Sequence, residues 1–159
     1  MSSKYQTSEG NFEPYLTLRG HTAPLLAITG GHGKNERCLF TSDTEGDIRV
    51  WHAPLSSEVN MYGETLEGKN YAVDLWSSNG EGDEEAVWDL KYHPYQHFLL
   101  SVSATSSILT WDCSNIDPEG EGNRGHVAGE FSYTVGESKP TATACSWLNT
   151  QQNQFVVGF

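Results

Sequence analysis

The chain has 159 residues and a formal net charge of −12, and 36% of its residues are hydrophobic and 11% aromatic. This length is sufficient for one ordinary domain with a buried core. The aromatic content favours a folded, β-rich protein over a disordered chain. So acidic a chain is repelled by nucleic-acid phosphates and by anionic membrane surfaces. We therefore expect no nucleic-acid partner and no direct membrane insertion.

The cysteines and the N-terminus indicate the compartment. Cys38, Cys113 and Cys145 are odd in number, form no C-x-x-C motif and lie in apolar, strand-like runs. We expect them to be reduced core cysteines of a cytosolic or nuclear protein, and the predicted location is cytoplasmic. Residues 1–14 are polar and end at Pro14, which predicts a flexible lead-in and not a secretory signal.

Short apolar or alternating runs predict the first strands. Residues 15–19 alternate between apolar and polar, which indicates a half-buried strand. Residues 24–29 are nearly all apolar and are expected to be buried on both faces. Two further strands are predicted at 37–42 and 48–52, on either side of a turn at Glu45 and Gly46.

The rest of the chain shows the same pattern of short strands and turns. No long segment has a helical period, so we predict an essentially all-β chain. The further predicted strands are 71–76, 86–92, 98–103, 107–112, 131–135, 141–148 and 154–157.

The strands form a repeating unit. Leu39–Ser42 matches Leu99–Ser103, and Ile48–Trp51 matches Ile108–Trp111. A third unit begins at Phe131. The predicted units cover about 15–53, 71–114 and 131–159, so the repeat occupies residues 15–159.

This unit resembles the WD40 repeat, which has four strands in a propeller blade, a Gly-His pair near its start and a Trp-Asp pair near its end. Gly20-His21 and Trp51 supply the first set, and Trp111-Asp112 closes the second. The resemblance implies an all-β fold of WD40 β-propeller blades. The extra length of the repeat fits in a connection between residues 53 and 85.

The WD40 resemblance implies a network of side-chain hydrogen bonds that ties the strands of a blade together. By position, His21, Glu45, Trp51 and either Thr41 or Ser42 are its members in the first unit. These residues, and Trp111 in the second unit, are expected to be structural and not catalytic.

The second unit lacks the Gly-His pair and carries Thr105 at the turn. We therefore expect its network to be absent or rebuilt. Apolar packing should then hold the blade, with Trp88, Tyr92, Leu100 and Trp111 carrying most of it.

Propellers have roughly 4–8 blades, and this chain holds about two units and part of a third. The predicted ring is therefore incomplete, with open strand edges at 15–19 and 154–159. We expect a fragment of a longer protein that is marginally stable and prone to aggregate when isolated.

A closer resemblance is to the striatins, scaffold subunits of a phosphatase–kinase assembly. It is carried by residues 16–21 running into Pro24-Leu25-Leu26, and by residues 85–92 running into 99–104. It implies a non-catalytic signalling scaffold that assembles phosphatase 2A with kinases and needs no cofactor or metal. Alternatives are a substrate receptor of a ubiquitin ligase and a chromatin- or histone-binding propeller.

Other candidate chemistry is weaker. His93 and His97 lie four apart, but Pro94 and the β context favour a turn over a metal-binding helix. The glycine-rich loop at 30–34 lacks the ending of a phosphate loop. The acidic residues Glu81, Asp83, Glu84 and Glu85 form either a partner-binding loop or a solvated one.

Overall fold

The computed structural model describes residues 20–52, 72–77, 85–116, 126–150 and 152–159, and for 72–77 it describes the backbone alone. The described residues form ten strands and one turn of 3-10 helix at Gly33–Asn35. The prediction of an all-β chain is confirmed. The predicted strand at 15–19 and the predicted lead-in at 1–14 lie outside the described residues.

The strands are arranged in three antiparallel sheets. Sheet 1 has the order β1-β2-β3-β4, sheet 2 has the order β5-β6-β7-β8, and sheet 3 has the described strands β9 and β10. The strand bounds are β1 Leu25–Gly30, β2 Cys38–Asp43, β3 Asp47–His52, β4 Ala72–Ser77, β5 Val87–Tyr92, β6 Phe98–Ser103, β7 Ser107–Asp112, β8 His126–Ser132, β9 Ala144–Trp147 and β10 Phe155–Gly158. Two complete four-stranded sheets and two further strands agree with an incomplete ring of blades.

The sheets repeat one another residue by residue. Leu39 lies opposite Trp51 in sheet 1, and Leu99 lies opposite Trp111 in sheet 2. Each first strand also contains one extra residue, between Leu25 and Ala27 in β1 and between Val87 and Asp89 in β5. Such bulges turn the following side chains toward a new direction.

The first strands of the sheets lie side by side, because β1 packs against β5 and β5 packs against β9. Two apolar clusters fill the junctions. The first joins sheets 1 and 2 and includes Phe40, Val50, Leu90 and Trp111. The second joins sheets 2 and 3, where the cluster of Leu100, Val102, Ile108, Ala142, Cys145 and Trp147 is accompanied by Phe155 and Val157.

Polar bonds cross the first junction as well. The buried Asn35, from the 3-10 turn of sheet 1, donates to the Tyr92 hydroxyl at 2.9 Å and to the Cys113 carbonyl at 2.8 Å. Both acceptors belong to the sheet 2 side. Asn35 therefore fixes how the two sheets meet, because a lost contact would leave its buried amide unsatisfied.

Two predictions about burial are wrong. In β1, Leu25 and Ile28 are 57% and 64% exposed, because the strand packs on the core through Ala27 and its other face has no described neighbour. In β5, Trp88 is 40% exposed and does not belong to the core. The bulge at this position makes Trp88 the extra residue, which removes it from the alternation that buries Val87 and Leu90.

The strand predicted at 131–135 is β8, which begins earlier, at His126, and ends at Ser132. Its register is set by pairing with β7, where Leu109 lies opposite Glu130. Val135 lies beyond the strand, in a turn closed by a bridge to Ser138.

Candidate protein-interaction site

Four side chains of sheet 1 form a continuous hydrogen-bonded chain. The Trp51 indole N–H donates to Thr41 Oγ1 at 2.7 Å. Thr41 and His21 Nε2 are 2.6 Å apart, and His21 Nδ1 lies 2.6 Å from Asp43 Oδ2. An ionised Asp43 can only accept, so Nδ1 donates to it. In the neutral ring Nε2 is then an acceptor, and it accepts the proton of the Thr41 hydroxyl.

Local sequence explains why these groups meet. Thr41 and Asp43 are two residues apart in β2, so their side chains lie on the same face. Asp43 is fully buried, and its second oxygen accepts the backbone N–H groups of Glu45 and Asp47, each at 3.0 Å. A Cβ at Gly20 would lie 2.8 Å from the Trp51 ring. Glycine therefore allows the chain to approach the indole just before His21.

The structure differs from the predicted network at two positions. The acid is Asp43, and Glu45 contributes its backbone N–H and not its carboxylate. Of the two hydroxyls left open by the sequence, Thr41 is in the network. Ser42 points to the opposite face of β2 and donates to the Val87 carbonyl at 2.9 Å, which ties sheet 1 to sheet 2.

Sheet 2 has a different arrangement at the same positions. The Trp111 indole N–H donates to Ser101 Oγ at 2.9 Å, as Trp51 does to Thr41. Ser103 occupies the position of Asp43, and its hydroxyl donates to Glu85 at 3.4 Å. Thr105 also donates to Glu85. The polar chain is thus interrupted between Ser101 and Ser103, and the buried histidine has no counterpart among the described residues of sheet 2.

Glu85 is the one member of the predicted acidic loop that the structure describes; Glu81, Asp83 and Glu84 lie outside the described residues. Glu85 lines an open cleft of about 440 Å³ on the side of sheet 2. Glu130 and Lys139 also line it, together with Val127 and Phe131. The lining of the cleft thus combines charged and apolar side chains.

The thiols are unsuited to nucleophilic chemistry. Cys38, Cys113 and Cys145 are free and buried, which confirms the prediction from their apolar context. Burial raises the pKa of all three, that of Cys145 to about 12, so each remains a neutral thiol near pH 7. Within the described ranges, no group of three or more His, Cys, Asp or Glu side chains is placed to hold a metal ion.

Apolar side chains are exposed at several places on the described surface. In the first strands of sheets 1 and 2 these are Leu25, Ile28 and Trp88. In and just after β8 they are Phe131 and Tyr133. Single exposed apolar residues are common on protein surfaces, and contiguous patches of them mark surfaces that bind other proteins. None of the described helical residues forms a helix long and apolar enough to cross a membrane.

The repeating sheets agree with comparisons to known proteins. The family profile "WD domain, G-beta repeat" matches residues 12–52 and 75–112. A solved structure, "Structure of U3-55K", superimposes with a TM-score of 0.57 over 88% of this chain and 34% of that chain, at 11% identity. This second likeness shows the fold alone. The chain therefore contains WD40 repeats.

Among WD40-repeat proteins, the chain is striatin-like. It is 31% identical to striatin-4 of Mus musculus over 106 residues, which cover 67% of this chain and 13% of that relative. It is 30% identical to the striatin homolog of Dictyostelium discoideum over 104 residues, which cover 63% of this chain and 12% of that relative. The predicted resemblance to striatins is confirmed, and the chain spans only a small part of these relatives.

Proposed function

We propose that this chain is part of a non-catalytic, striatin-like scaffold that brings a phosphatase 2A together with kinases in cytoplasmic signalling. A scaffold of this kind acts by effective concentration, since an enzyme and its substrate held on one body meet far more often than free molecules. The finer elements of the proposal, namely the phosphatase, the kinases and the cytoplasm, rest on the resemblance to striatins.

The observation that carries the scaffold function is the use of His21 inside the blade. Both of its ring nitrogens are bonded, one to Asp43 and one to Thr41, and its side chain is only 6% exposed. A general base needs a free nitrogen within reach of substrate. The His21 motif therefore supports the fold, and we assign the function to the exposed surface of the blades.

The proposal is tested by purifying the tagged full-length protein from its own cells and identifying its partners by mass spectrometry. We expect phosphatase 2A subunits and kinases. Trp88→Ala tests whether the exposed surface on the first strand of sheet 2 contributes to partner binding, and Tyr133→Ala tests the same for the exposed surface beside β8. Recovery of neither phosphatase subunits nor kinases would contradict the proposal.

A second candidate is a substrate receptor of a ubiquitin ligase or a histone-binding propeller. The observation that favours it is the charge, because a chain of net charge −12 with Glu85 and Glu130 at a cleft suits a basic partner. The same purification separates the two proposals. Cullin adaptors or histones among the partners would decide for this second candidate.

A further inference from the structure

Histidines are concentrated at one end of sheets 1 and 2. This histidine end holds five of the six histidines of the chain: His32 in the β1–β2 connection, His52 at the end of β3, His93 and His97 in the β5–β6 connection, and His126 at the start of β8. His32 and His126 are exposed, and His52 and His97 are half-buried. Because histidine gains its positive charge between pH 8 and pH 5, acidification adds charge to this surface.

The opposite end of the same sheets is acidic. Glu45 and Asp47 lie at the turn between β2 and β3, and Glu85 lies just before β5. The one described histidine near that end, His21, is held against Asp43 inside the blade. The two ends therefore differ in the charge of the partner that each suits.

The histidine end of sheet 1 meets that of sheet 2 around Tyr92. His97 Nδ1 lies 3.1 Å from the Tyr92 hydroxyl, and the His32 ring lies 5.9 Å from the Tyr92 ring. A Cβ at Gly33 would lie 3.3 Å from His97 Cε1, so the 3-10 turn that carries Lys34 packs directly on His97. Basic groups from two sheets thus share one continuous surface.

Asp112 shows that these groups converge on a carboxylate. It lies opposite His126 in the pairing of β7 with β8. Hydrogen bonds from Ser114 lower the pKa of Asp112, and the positive charges of His126 and Lys34 lower it further. Because Lys34 belongs to sheet 1 and His126 to sheet 2, a carboxylate from a partner would meet the same two groups at this junction.

The other described charges at this end cancel near neutral pH. Two basic and two acidic side chains lie there: Lys34, Arg37, Glu36 and Asp112. On β5, Lys91 is paired with Asp89 at 2.7 Å. Burial raises the pKa of three further groups, which stay neutral: Cys38, Tyr92 and Cys113. Each histidine that binds a proton therefore adds a positive charge that no described group at this end offsets.

We infer that the histidine end binds an acidic segment of a partner protein, and binds it more tightly as the pH falls. The inference rests on the proposed protein-binding function and specifies the charge of one partner. Protonated His32 and His126 pair with carboxylates of the segment beside Lys34. Glutamate in a peptide titrates near pH 4.3, so the segment keeps its charge while the histidines gain theirs.

The test uses the full chain and a labelled peptide of six glutamates, with a peptide of six glutamines as the uncharged control. Fluorescence anisotropy should show saturable binding of the glutamate peptide at about pH 6, at least about fivefold tighter than at about pH 7.5. Circular dichroism at both pH values checks that the chain stays folded. Absence of binding at the lower pH, equal affinity at the two pH values, or equal binding of the glutamine peptide would overturn the inference.

Matched lysine variants locate the binding site. Lys34→Gln and Lys139→Gln each remove one positive charge from an exposed lysine, the first at the histidine end and the second at the cleft that contains Glu85. Only Lys34→Gln should weaken binding of the glutamate peptide, by about two- to fivefold. Equal losses would show that the peptide responds to net charge alone, and would overturn the inference.

Histidine variants test the pH dependence. The double variant His32→Gln, His126→Gln should lose most of the gain in affinity between about pH 7.5 and about pH 6. Both side chains are exposed, so the variant is expected to fold. A gain that is unchanged in this variant would contradict the assignment to the histidine end.

Asp112→Asn provides a test near neutral pH. It removes the carboxylate that competes with the peptide, while the amide oxygen still accepts the Ser114 N–H. Affinity for the glutamate peptide at about pH 7.5 should rise by about two- to fivefold. Unchanged or weaker binding would contradict the assigned site.

Two further outcomes concern the occupant and the proposed function. Binding seen only after Asp117, Glu119 and Glu121 are changed to amides would assign the histidine end to this acidic stretch of the chain itself, and would overturn the inference. Phosphatase subunits recovered with a chain that ignores the glutamate peptide would contradict the inference and leave the scaffold function standing. Specific peptide binding by a chain that recovers no phosphatase or kinase would support the inference and contradict the proposed scaffold.

Discussion

Sheets 1 and 2 have the same strand order and the same register, yet they are held together differently. In sheet 1 a polar chain runs from Trp51 through Thr41 and His21 to the buried Asp43. In the described part of sheet 2, Trp111 donates to Ser101 in the same way, but Ser103 stands in place of the acid and donates to Glu85. Both tryptophans are buried, 4% and 3% exposed. The buried tryptophan of the third strand, Trp51 or Trp111, is thus common to both blades. The hydrogen bonds of His21 and Asp43 are additional stabilising contacts in sheet 1.

The largest loss of stability should follow from removing the buried carboxylate of Asp43. Asp43→Ala removes the acceptor of three donors in a fully buried place, so we expect a loss of about 3–5 kcal/mol in the free energy of unfolding. Ser103→Ala, at the equivalent position of sheet 2, should cost about 1 kcal/mol or less. Urea unfolding measures the free energy of unfolding of both variants. An unchanged slope m of this free energy against urea concentration shows that the transition itself is the same. Equal losses would show that sheet 1 gains nothing from its network.

The second effect is the energetic coupling between Trp51 and Asp43, which lie in the same hydrogen-bonded chain of sheet 1. Trp51→Phe and Asp43→Ala break the same polar chain, so their effects should be non-additive by about 0.5–3 kcal/mol in a double-mutant cycle. The control combines Trp111→Phe with Asp43→Ala, and the effects of this pair should add within about 0.5 kcal/mol. Similar coupling in both cycles would mean that the connection runs through the packing between the sheets.

Sequence alone predicted the strand pattern well, because alternation and turn residues are local. Alternation also places Asp43 on the same face as Thr41, so the sequence contains the information that identifies Asp43, and not Glu45, as the acid of the network. Two other features depend on strand pairing. Trp88 was assigned to the core because a bulge, set by pairing with β6, is not visible in the alternation. The start of β8 at His126 is likewise determined by its register with β7.

The third effect is a pH dependence at the junction of sheets 2 and 3. The buried His93 accepts the backbone N–H groups of Tyr95 and Gln96 at Nδ1, and its ring packs against Trp147 at 4.6 Å. Burial lowers the pKa of His93, so the folded state binds a proton less readily than the unfolded state. Stability should therefore fall as the pH drops below about 6.5, the value of an unperturbed histidine.

Unfolding midpoints between pH 5 and pH 7 test this dependence. His93→Asn keeps an oxygen acceptor near Nδ1 and does not titrate, so it should flatten the profile. A profile that His93→Asn does not alter would assign the pH dependence to another group.

The smallest effects separate two neighbours that the sequence placed in one network. Ser42→Ala should cost about 1 kcal/mol, because it removes the bond to the Val87 carbonyl between the sheets. Glu45→Ala leaves its backbone bond to Asp43 intact and should change stability by less than about 0.5 kcal/mol. Urea unfolding of the two variants measures and compares these losses of stability. A Glu45 effect as large as that of Asp43 would mean that the turn carboxylate, and not the strand acid, completes the network of sheet 1.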